Sequence, residues 1–394
     1  MIHINKIITI SVLILIILLT VLGCSKKEIF TNEENIDTDN EDTNASKEKV
    51  EVLGKYRLPD EAGEHEGTWL QWPHNNTYGK GYKEELTPIW LEMTKKLSVG
   101  EKVHIVTYDE KEEKYVKELL TNVNMDKIDF NIFQTDDVWA RDNGPIFVYD
   151  TNNELKIMDW GFNGWGEKVP YNKDRLLRRH VGEKLGIEVI DLNDVVIEGG
   201  AIELDGNGSL LLTRSAVVNP NRNPLLSEKE IEMYLEENYG VSNFIWLDGV
   251  KGMEITDFHI DGFAKFYNKS TLITLSKGDL LEWGVSKNDI EVLFNAKNKD
   301  GIKYKYIYLP LTKKNVILKN GKKLGYKGSY ANFYIGNKVI LVPNYNDPND
   351  ETANEIISSL YPNHKVVGID VRELYKYGGM IHCVTQQQPI GISE

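Results

Sequence analysis

The fold is decided by a pattern that is clearest in the stretch Ala201-Ile202-Glu203-Leu204-Asp205-Gly206-Asn207-Gly208-Ser209-Leu210-Leu211-Leu212-Thr213, in which two β-prone runs flank a turn rich in Gly and Asn. Such a turn is a strong β-hairpin signal, because Gly and Asn tolerate the backbone conformations that a tight reversal requires. The same pattern recurs in the segments 146–159, 263–275 and 332–342. The turns repeat roughly every 60 residues, which predicts an array of similar structural units.

Helical segments are predicted between the hairpins. In Ser227-Glu228-Lys229-Glu230, Ser227 is placed to cap a helix and Glu230 to reciprocate, which is the capping-box pattern. Residues 172–185, 286–295 and 350–361 have similar helical patterns. A repeated strand–strand–helix–strand unit favours an α/β fold in the form of a closed array over an open doubly wound sheet.

The two ends of the folded region could supply a fifth hairpin. Gly67–Trp72 lies near its start and Ile381–Gln386 near its end. Pairing these two segments would close the array into a ring and remove exposed strand edges. In such a ring, equivalent positions of the units converge on the axis, so residues far apart in the chain would meet in one site.

Residues 1–24 are predicted to be a targeting segment rather than part of the fold. Lys6 gives a weakly basic start, an apolar run extends from Ile7 to Leu19, and the segment ends at Cys24. The run is too short for a comfortable membrane span and is typical of an export signal. The segment resembles a bacterial lipoprotein signal, in which Cys24 would be lipidated and would anchor the exported protein to the outer face of a membrane. The alternative is an uncleaved N-terminal anchor.

Residues 25–55 are rich in Glu, Asp, Asn, Thr and Lys and have few apolar side chains. Such a segment cannot bury enough surface to offset the entropy of ordering, so we predict a disordered acidic linker. No second low-complexity segment interrupts residues 56–394, which predicts one catalytic domain there. The chain has 2 cysteines. Because Cys24 is the expected lipidation site, we expect no disulfide for Cys383.

The charge and motifs of the chain exclude some classes of function. With a formal net charge of −14, the chain lacks the basic footprint that binds phosphate backbones, so nucleic acid is not an expected partner. It also lacks zinc-type Cys or His spacing, a calcium loop and a phosphate-binding Gly-Lys-Ser/Thr motif. We therefore expect no metal site. The sequence leaves homo-oligomerisation open.

Residues suited to nucleophilic chemistry lie at corresponding places in the repeated units. They are Asp142 in Trp139-Ala140-Arg141-Asp142, Glu198 in Glu198-Gly199-Gly200, His259 and Asp261 in His259-Ile260-Asp261, and Cys383 in the C-terminal segment Gly378–Gln387. A closed ring would bring them into one site. A thiol, an imidazole and three carboxylates together suit nucleophilic attack on a positively charged carbon centre.

Cys383 has two interpretations. An isolated cysteine is more often a small buried hydrophobe, whereas a reactive thiolate would need a nearby cation or a cationic substrate. The adjacent glycines, Gly378 and Gly379, would allow close approach of a substrate. His382 adjoins Cys383 and would face away from it on a strand, so we expect a structural role for His382.

His259, Asp261 and Glu198 also allow structural interpretations. On a strand, His259 and Asp261 would face one cleft, and the alternative is a surface histidine beside a solvated acid. Glu198 follows an apolar run, so its carboxylate needs a partner. A cationic substrate or an ordinary salt bridge would provide one.

The segments around residues 136–142 and 219–224 are less specific. If Trp139–Asp142 is extended, Trp139 and Arg141 face one side and Asp142 the other, and a loop would relax this constraint. A surface ion pair between Arg141 and Asp142 is the structural alternative. Asp136-Asp137 are expected to be solvated, and Asn219–Pro224 is most simply a rigid turn.

Together, the motifs resemble those of the family of agmatine deiminases and Porphyromonas-type peptidylarginine deiminases, which modify guanidines. The similarity runs from about Tyr56 to Pro389, and several long motifs in the same order make it specific. The resemblance implies a five-bladed α/β propeller of the pentein type with pseudo-fivefold symmetry, which agrees with the repeat described above. The matching motifs are His65–His74, Trp139–Pro145, Asp159–Gly166, Glu198–Gly200, Asn219–Pro224, His259–Asp261 and Ile381–Gln387.

The resemblance also implies roles for individual residues and no cofactor. Asp142 and Asp261 would hold the guanidinium group, and Glu198 would help to orient it. Cys383 would attack the central carbon and form a covalent thiouronium intermediate. His259 would protonate the leaving ammonia and then activate water.

The substrate favoured by the sequence is agmatine, which would give N-carbamoylputrescine and ammonia. The chain is similar to the agmatine enzymes at Asn163-Gly164-Trp165-Gly166, and Asn163 and Trp139 are candidate substrate-binding residues. Peptidyl enzymes are expected to carry arginines in this region that bind a substrate carboxylate. None occurs between Arg141 and Arg175.

Two alternatives stay open. Export is unusual for agmatine metabolism, Phe258 stands where agmatine enzymes usually have Gly, and Asp60–Gly63 departs from the usual entry segment. The first two features weigh against agmatine, and the first alternative is an extracellular deiminase that acts on peptidyl-arginine or another guanidine. The second alternative is a non-enzymatic lipoprotein that binds guanidinium or polyamine ligands. It would need the acids but no nucleophile, so Cys383 together with His259 weighs against it.

Overall fold

The structure is a computed structural model that describes residues 54–391. The predicted signal segment 1–24 with Cys24, and the linker up to residue 53, lie outside the described residues. Within residues 54–391, no helix is both long enough and apolar enough to cross a membrane.

The described residues form an α/β fold with five separate sheets. Three sheets share one plan, in which the second strand of an antiparallel hairpin pairs in parallel with a third strand that follows helical segments. These sheets consist of β8 (Ile202–Leu204), β9 (Ser209–Thr213) and β10 (Asn243–Leu247); β11 (Ala264–Asn268), β12 (Thr271–Leu275) and β13 (Lys305–Leu309); and β14 (Tyr334–Ile335), β15 (Val339–Asn344) and β16 (Lys365–Asp370).

The other two sheets have four strands each. One repeats the same plan and adds an antiparallel edge strand, β1, beside β5. The other combines three parallel strands with the C-terminal strand β17, which pairs antiparallel with β2. Their strands are β1 (Tyr56–Arg57), β5 (Ile146–Asp150), β6 (Leu155–Gly161) and β7 (Val189–Val196), and β2 (His65–Gln71), β3 (Lys102–Thr107), β4 (Ile128–Ile132) and β17 (Gln386–Pro389).

All four predicted hairpins are present within one or two residues of their predicted bounds. The pairing of the two ends of the folded region is also present, but the predicted segment Ile381–Gln386 is wrong in its bounds. The C-terminal strand begins at Gln386, opposite Trp69, because His382–Val384 form a 3₁₀ turn instead of a strand. Cys383 therefore lies in a turn.

The helices include every segment predicted from the sequence. The capping box is confirmed, because the Glu230 amide donates to Ser227 Oγ and the Ser227 amide donates to Glu230 Oε2 at 2.8 Å. Two α-helices and two strands between residues 73 and 138 were not predicted. The helices are α1 (Tyr82–Leu97), α2 (Glu110–Leu119), α3 (Ala140–Asn143), α4 (Gly164–Glu167), α5 (Leu177–Leu185), α6 (Arg214–Val217), α7 (Glu228–Tyr239), α8 (Lys277–Trp283), α9 (Lys287–Asn295), α10 (Asp350–Leu360) and α11 (Arg372–Tyr375).

Short helical turns position the candidate site. In four of the sheets, a short turn stands directly before one strand: α3 precedes β5, Gly199–Ala201 precedes β8, Ile260–Gly262 precedes β11, and His382–Val384 precedes β17. Several of these turns contact one another. They precede strands whose apolar side chains, such as Val148 on β5 and Ala264 on β11, are fully buried in the core. Rigid strands thus present the four turns to one another.

Candidate active site

A cavity of about 600 Å³ contains Cys383, His259 and Asp261 in its wall. The rest of the wall is largely apolar and aromatic, with a few charged groups. A cavity of this size and character is typical of a small-molecule site. These other wall residues include Met253, Phe258, Trp283, Tyr326, Tyr375 and Met380 among the apolar and aromatic groups, and Glu254, Glu282 and Lys327 among the charged ones.

Three of the predicted site residues meet around Gly200. A Cβ atom at Gly200 would lie 2.7 Å from His259 Nδ1, 2.9 Å from Asp142 Oδ1 and 3.1 Å from Asp261 Oδ2. Only glycine leaves room for these groups to approach one another so closely. The convergence of Asp142, His259 and Asp261, which the sequence analysis predicted for a ring, is therefore present.

Asp142 is buried and is held by two donors. The Gly200 amide donates to Oδ1 at 2.9 Å, and Trp165 Nε1 donates to Oδ2 at 2.9 Å. Burial, together with the nearby charges of Glu198 and Asp261, raises the pKa of the Asp142 carboxyl, although the charge of His259 opposes the shift. A cation bound beside Asp142 would favour its ionised form.

His259 lies between two carboxylates. Its Nε2 is 2.8 Å from Glu198 Oε2, and its Nδ1 is 3.7 Å from Asp142 Oδ2. Burial favours the neutral ring, but the charge of Asp142 and the hydrogen bond and charge of Glu198 outweigh it and raise the pKa of His259 to about 9. The imidazole is thus protonated at neutral pH and can act as an acid.

Glu198 has its carboxylate fully engaged. Arg222 donates to Oε1 through Nε at 2.6 Å and to Oε2 through Nη2 at 3.3 Å, while His259 contacts Oε2. Burial opposes ionisation, but Arg222 and His259 hold the pKa of Glu198 below its usual range. The ordinary salt bridge considered for Glu198 therefore exists, and the same carboxylate orients His259.

Asp261 is held by a second buried histidine, His382. His382 Nδ1 lies 2.9 Å from Asp261 Oδ2, and His382 Nε2 lies 2.7 Å from Glu61 Oε2. Burial alone would raise the pKa of Asp261, but the hydrogen bond and charge of His382 and the charge of His259 lower it. His382 thus has the structural kind of role predicted for it, and it acts directly on Asp261.

Cys383 is partly buried, with Sγ 3.8 Å from Asp261 Oδ2. Burial and the charge of Asp261 raise the pKa of the Cys383 thiol well above its usual value. The group is therefore a thiol when no cation occupies the cavity. The adjacent Gly379 serves packing rather than substrate approach, because a Cβ there would lie 2.1 Å from Trp139 Cζ3.

The predicted strand at 259–261 is wrong. Ile260–Gly262 form a 3₁₀ turn, and the preceding residues have left-handed backbones, with φ of 62° at Asp257 and 85° at Phe258. Phe258 lies in the cavity wall. The extended reading of Trp139–Asp142 is also wrong, because Ala140–Asn143 form α3. The carboxylates of Asp142 and Asp261 therefore reach the site from helical turns and not from strands.

The expectation that Asp136 and Asp137 are solvated is wrong as well, and the surface ion pair considered as the alternative for Arg141 and Asp142 is not formed. Asp136 and Asp137 are buried, and Asp137 Oδ2 accepts from Tyr78 Oη at 2.6 Å. Arg141 is buried and donates to Gln387 Oε1 at 2.9 Å instead of forming a surface pair with Asp142. These polar groups stabilise the framework behind the site.

Trp139 and Asn163 were predicted to bind substrate. Trp139 is 6% exposed and packs edge-on against Trp165 at 6.1 Å between ring centroids. Asn163 caps α4, since its Oδ1 accepts from the Gly166 amide at 2.8 Å, and its Nδ2 donates to the Asn221 carbonyl at 2.9 Å. Both residues thus support the segments around the site, and their contact with a substrate stays a prediction.

Three residues of the site, Arg222, Glu61 and Asn332, were not predicted from the sequence. Arg222 lies in the segment interpreted as a rigid turn, and its side chain is fully buried between Glu198 and Asp257. The apolar run before Glu198 predicted that its buried carboxylate needs a cationic partner, but it did not identify Arg222 as that partner. No local pattern marks Glu61 or Asn332. Within residues 54–391, no group of three or more His, Cys, Asp and Glu side chains is arranged to hold a metal ion.

Comparisons with known proteins identify the family of this chain. A family profile described as Porphyromonas-type peptidyl-arginine deiminase matches residues 57–389. A Latilactobacillus sakei subsp. sakei (strain 23K) protein named "Putative agmatine deiminase" is 31% identical over 360 residues, 85% of this chain and 96% of the relative.

Two solved structures are similar over most of the chain. The agmatine deiminase of Enterococcus faecalis has a TM-score of 0.78 and 26% identity, and the match covers 86% of this chain and 97% of that one. A C. jejuni agmatine deiminase, with a cysteine replaced by serine and with substrate bound, has a TM-score of 0.73 and 28% identity over 86% of this chain and 97% of that one.

Proposed function

Because this chain belongs to the family of Porphyromonas-type peptidyl-arginine deiminases and agmatine deiminases, we propose that it hydrolyses a guanidinium group, with agmatine as the substrate and N-carbamoylputrescine and ammonia as the products. The convergence of Asp142, His259 and Asp261 around Gly200 carries this proposal. The carboxylates of Asp142 and Asp261 can hold a planar cation beside His259, which is an acid, and Cys383, which is a thiol. This is the arrangement that nucleophilic substitution at a guanidinium carbon requires.

The reaction begins with binding of the cation between Asp142 and Asp261. The positive charge of the substrate offsets the carboxylates that disfavour a thiolate, so the thiol proton of Cys383 is released to solvent. The thiolate then attacks the guanidinium carbon and forms an S–C bond. His259, already an imidazolium, donates its proton to one amino group, the C–N bond breaks and ammonia leaves.

The second half of the reaction reverses the role of His259. The neutral imidazole takes a proton from water as the oxygen attacks the thiouronium carbon. The S–C bond breaks, Cys383 returns as a thiolate, and the proton left on the ureido product passes to ammonia in solution. Glu198 stabilises the imidazolium form of His259 at the start and at the end.

The architecture that supports this site is proposed to be a five-bladed propeller with pseudo-fivefold symmetry. The five sheets are the blades, and the pairing of β17 with β2 joins the two ends of the folded region within one blade. The short turns before β5, β8, β11 and β17 occupy corresponding positions in four blades. Such an arrangement accounts for the meeting of side chains that are far apart in the chain.

Agmatine is favoured over arginyl peptides by the charge of the cavity. Lys327 is the one cation from Lys or Arg in the described wall, and its Nζ lies 2.8 Å from Glu282 Oε2. Glu254 adds another carboxylate. A substrate that ends in an ammonium group is compatible with this balance, whereas a substrate carboxylate would have to compete with Glu282 for Lys327.

Deimination of arginyl peptides is the second candidate. A cavity of about 600 Å³ is larger than a small diamine-like substrate fills. The proposed lipid anchor at Cys24 would also present the site to extracellular proteins. A binding lipoprotein without turnover is the third candidate. The presence of Cys383 and a protonated His259 in the wall of one cavity weighs against it.

A substrate panel tests the proposal. Soluble protein that starts at Ser25 is incubated with agmatine, free arginine or an N-blocked arginyl peptide, and ammonia and ureido product are quantified. Cys383→Ala serves as the control. We expect turnover of agmatine by the wild type and none by the variant. Turnover of the peptide in place of agmatine would replace the proposed substrate, and binding of agmatine without turnover would support the binding lipoprotein.

A further inference from the structure

Asn332 is fully buried and contacts the sulfur of Cys383. Its Nδ2 lies 3.3 Å from Sγ and 3.2 Å from the carbonyl oxygen of Asp261. Its Oδ1 accepts from the backbone amide of His382 at 2.9 Å and lies 3.5 Å from Sγ. One side-chain amide therefore connects the nucleophile to the segments that carry Asp261 and Cys383.

The orientation of this amide is determined by its partners. With Oδ1 at the His382 amide and Nδ2 at the Asp261 carbonyl, each donor faces an acceptor. In the flipped orientation, Nδ2 would face an N–H group and Oδ1 would face a carbonyl oxygen, and both contacts would be repulsive. The Asn332 N–H group is thus directed at the sulfur by two hydrogen bonds that do not involve the sulfur.

We propose that Asn332 is a catalytic residue that stabilises the Cys383 thiolate by donating an N–H hydrogen bond to it, and this inference rests on the proposed role of Cys383 as the nucleophile. A thiolate is an acceptor only, so it gains from a fixed donor. In the thiol form, the S–H group can donate a hydrogen bond to Asn332 Oδ1, which lies 3.5 Å from Sγ. Asn332 neither takes nor gives a proton.

The other groups that face the sulfur explain why such a donor matters. Burial, Asp261 and Asp142 disfavour an anion at Sγ, whereas hydrogen bonds from the backbone at Met380 and from the Asn332 side chain favour it. Tyr345 and Tyr375 are buried neighbours that are neutral at ordinary pH. The imidazolium of His259 is the nearby cation, and its charge is already shared with Asp142 and Glu198.

The hydrogen bond from Asn332 increases the net reactivity of the Cys383 thiol. Each tenfold rise in the thiolate fraction costs only about a threefold loss of intrinsic nucleophilicity, because the Brønsted coefficient for thiolates is about 0.4–0.5. A thiol whose pKa lies well above neutral pH therefore reacts faster when a hydrogen bond stabilises its anion. Once the S–C bond forms, the sulfur loses its charge and the donor no longer holds it.

Alkylation of the thiol tests the inference without any substrate. In protein that starts at Ser25, Cys383 is the one remaining cysteine of the chain, so iodoacetamide reports on it alone. The rate of alkylation is measured against pH for the wild type, Asn332→Ala and Asn332→Asp. Asn332→Asp keeps an oxygen acceptor for the His382 amide while it removes the donor at the sulfur, and a melting curve checks that each variant is folded.

We expect alkylation at pH 7 to fall roughly three- to tenfold in Asn332→Ala, because a hydrogen bond to an ionised group is lost. The rate–pH profile should move to higher pH, and it should move further in Asn332→Asp, which adds a negative charge. Asn295→Ala, on α9 and outside the cavity wall, is the matched control and should follow the wild-type profile.

A folded Asn332→Asp with the wild-type alkylation profile would overturn the inference. If the profile moves as expected but the wild-type protein turns over no guanidine, the proposed function fails while the contact between Asn332 and the thiolate stands. The two outcomes are therefore distinguishable.

Discussion

His259 Nε2 lies 2.8 Å from Glu198 Oε2, and Arg222 holds both oxygens of that carboxylate from its other side. The Glu198 carboxylate is thus ionised and paired with a fixed guanidinium, and it still accepts a hydrogen bond from the imidazole. This relationship makes Glu198 the group that orients the acid of the proposed reaction. It also keeps the imidazole protonated, because the charge and hydrogen bond of Glu198 contribute to the raised pKa of His259.

Glu198→Gln should lower the pKa of His259. The pKa is raised to about 9, so the wild-type ring is charged below that pH and loses its proton as pH rises through it. Glutamine keeps an acceptor but removes the charge, so the ring should lose its proton at lower pH. The basic limb of kcat/KM for agmatine, which reports on the free enzyme, should therefore move to lower pH. Asp191→Asn, which neutralises an exposed carboxylate, is the control. An unchanged basic limb would show that Glu198 does not set this titration.

Arg222→Met should destabilise the protein strongly. Its side chain is fully buried between Glu198 and Asp257, so its loss leaves two buried carboxylates with fewer partners. Removing one member of a buried ion pair costs about 3–5 kcal/mol. Arg214→Met is the matched control, since Arg214 and its partners Glu228 and Asp248 are all partly exposed, and such pairs contribute at most about 1 kcal/mol. Urea unfolding measures both, and equal losses would contradict the buried network.

Phe258 should carry backbone strain, because its φ is 85°. A left-handed backbone costs roughly 1–2 kcal/mol for a residue with a Cβ atom. Phe258→Ala and Phe258→Gly both remove a buried ring that packs 5.3 Å from Phe263, but only the glycine variant relieves the strain. We therefore expect Phe258→Gly to be more stable than Phe258→Ala by about 1 kcal/mol, the reverse of the usual order. Thermal unfolding of the two variants decides this, and the usual order would mean that the backbone is unstrained.

His382 should act mainly through Asp261. His382→Asn can keep a donor close to the position of Nδ1, which faces Asp261, whereas His382→Gln can keep one close to the position of Nε2, which faces Glu61. A hydrogen bond to an ionised carboxylate contributes about 1.5–3 kcal/mol. We therefore expect His382→Gln to lose roughly tenfold more in kcat/KM for agmatine than His382→Asn. Equal losses in two folded variants would assign His382 to packing alone.

The sequence predicted the repeated hairpins well because their turns are local signals. Asp205–Gly208, for example, reverses the chain through residues that tolerate unusual backbone angles. The capped helix after Ser227 was predicted for the same reason. The helix Tyr82–Leu97 was not predicted. Its buried side chains, Trp90 and Met93 among them, are fixed by tertiary packing and not by a local turn signal.

The sequence predicted which residues meet in the site, but it did not predict the backbone structure that brings them together. Cys383, His259 and Asp261 share one cavity, but turns carry them, and parity on a strand was the wrong argument. Arg222 and Asn332 were missed because their partners, Glu198 and Cys383, lie at a distance along the chain that no local pattern encodes. Long-range partners of buried charges become visible only when the fold is known.

The covalent role of Cys383 is the central claim, and trapping the intermediate tests it most directly. Turnover of agmatine is quenched with acid, and the peptide that contains Cys383 is examined by mass spectrometry for the wild type and for Cys383→Ala. We predict a fraction of wild-type peptide that is heavier by the mass of agmatine less ammonia, with turnover abolished in the variant. An unmodified peptide during full-rate turnover, together with undiminished turnover by Cys383→Ala, would contradict the account.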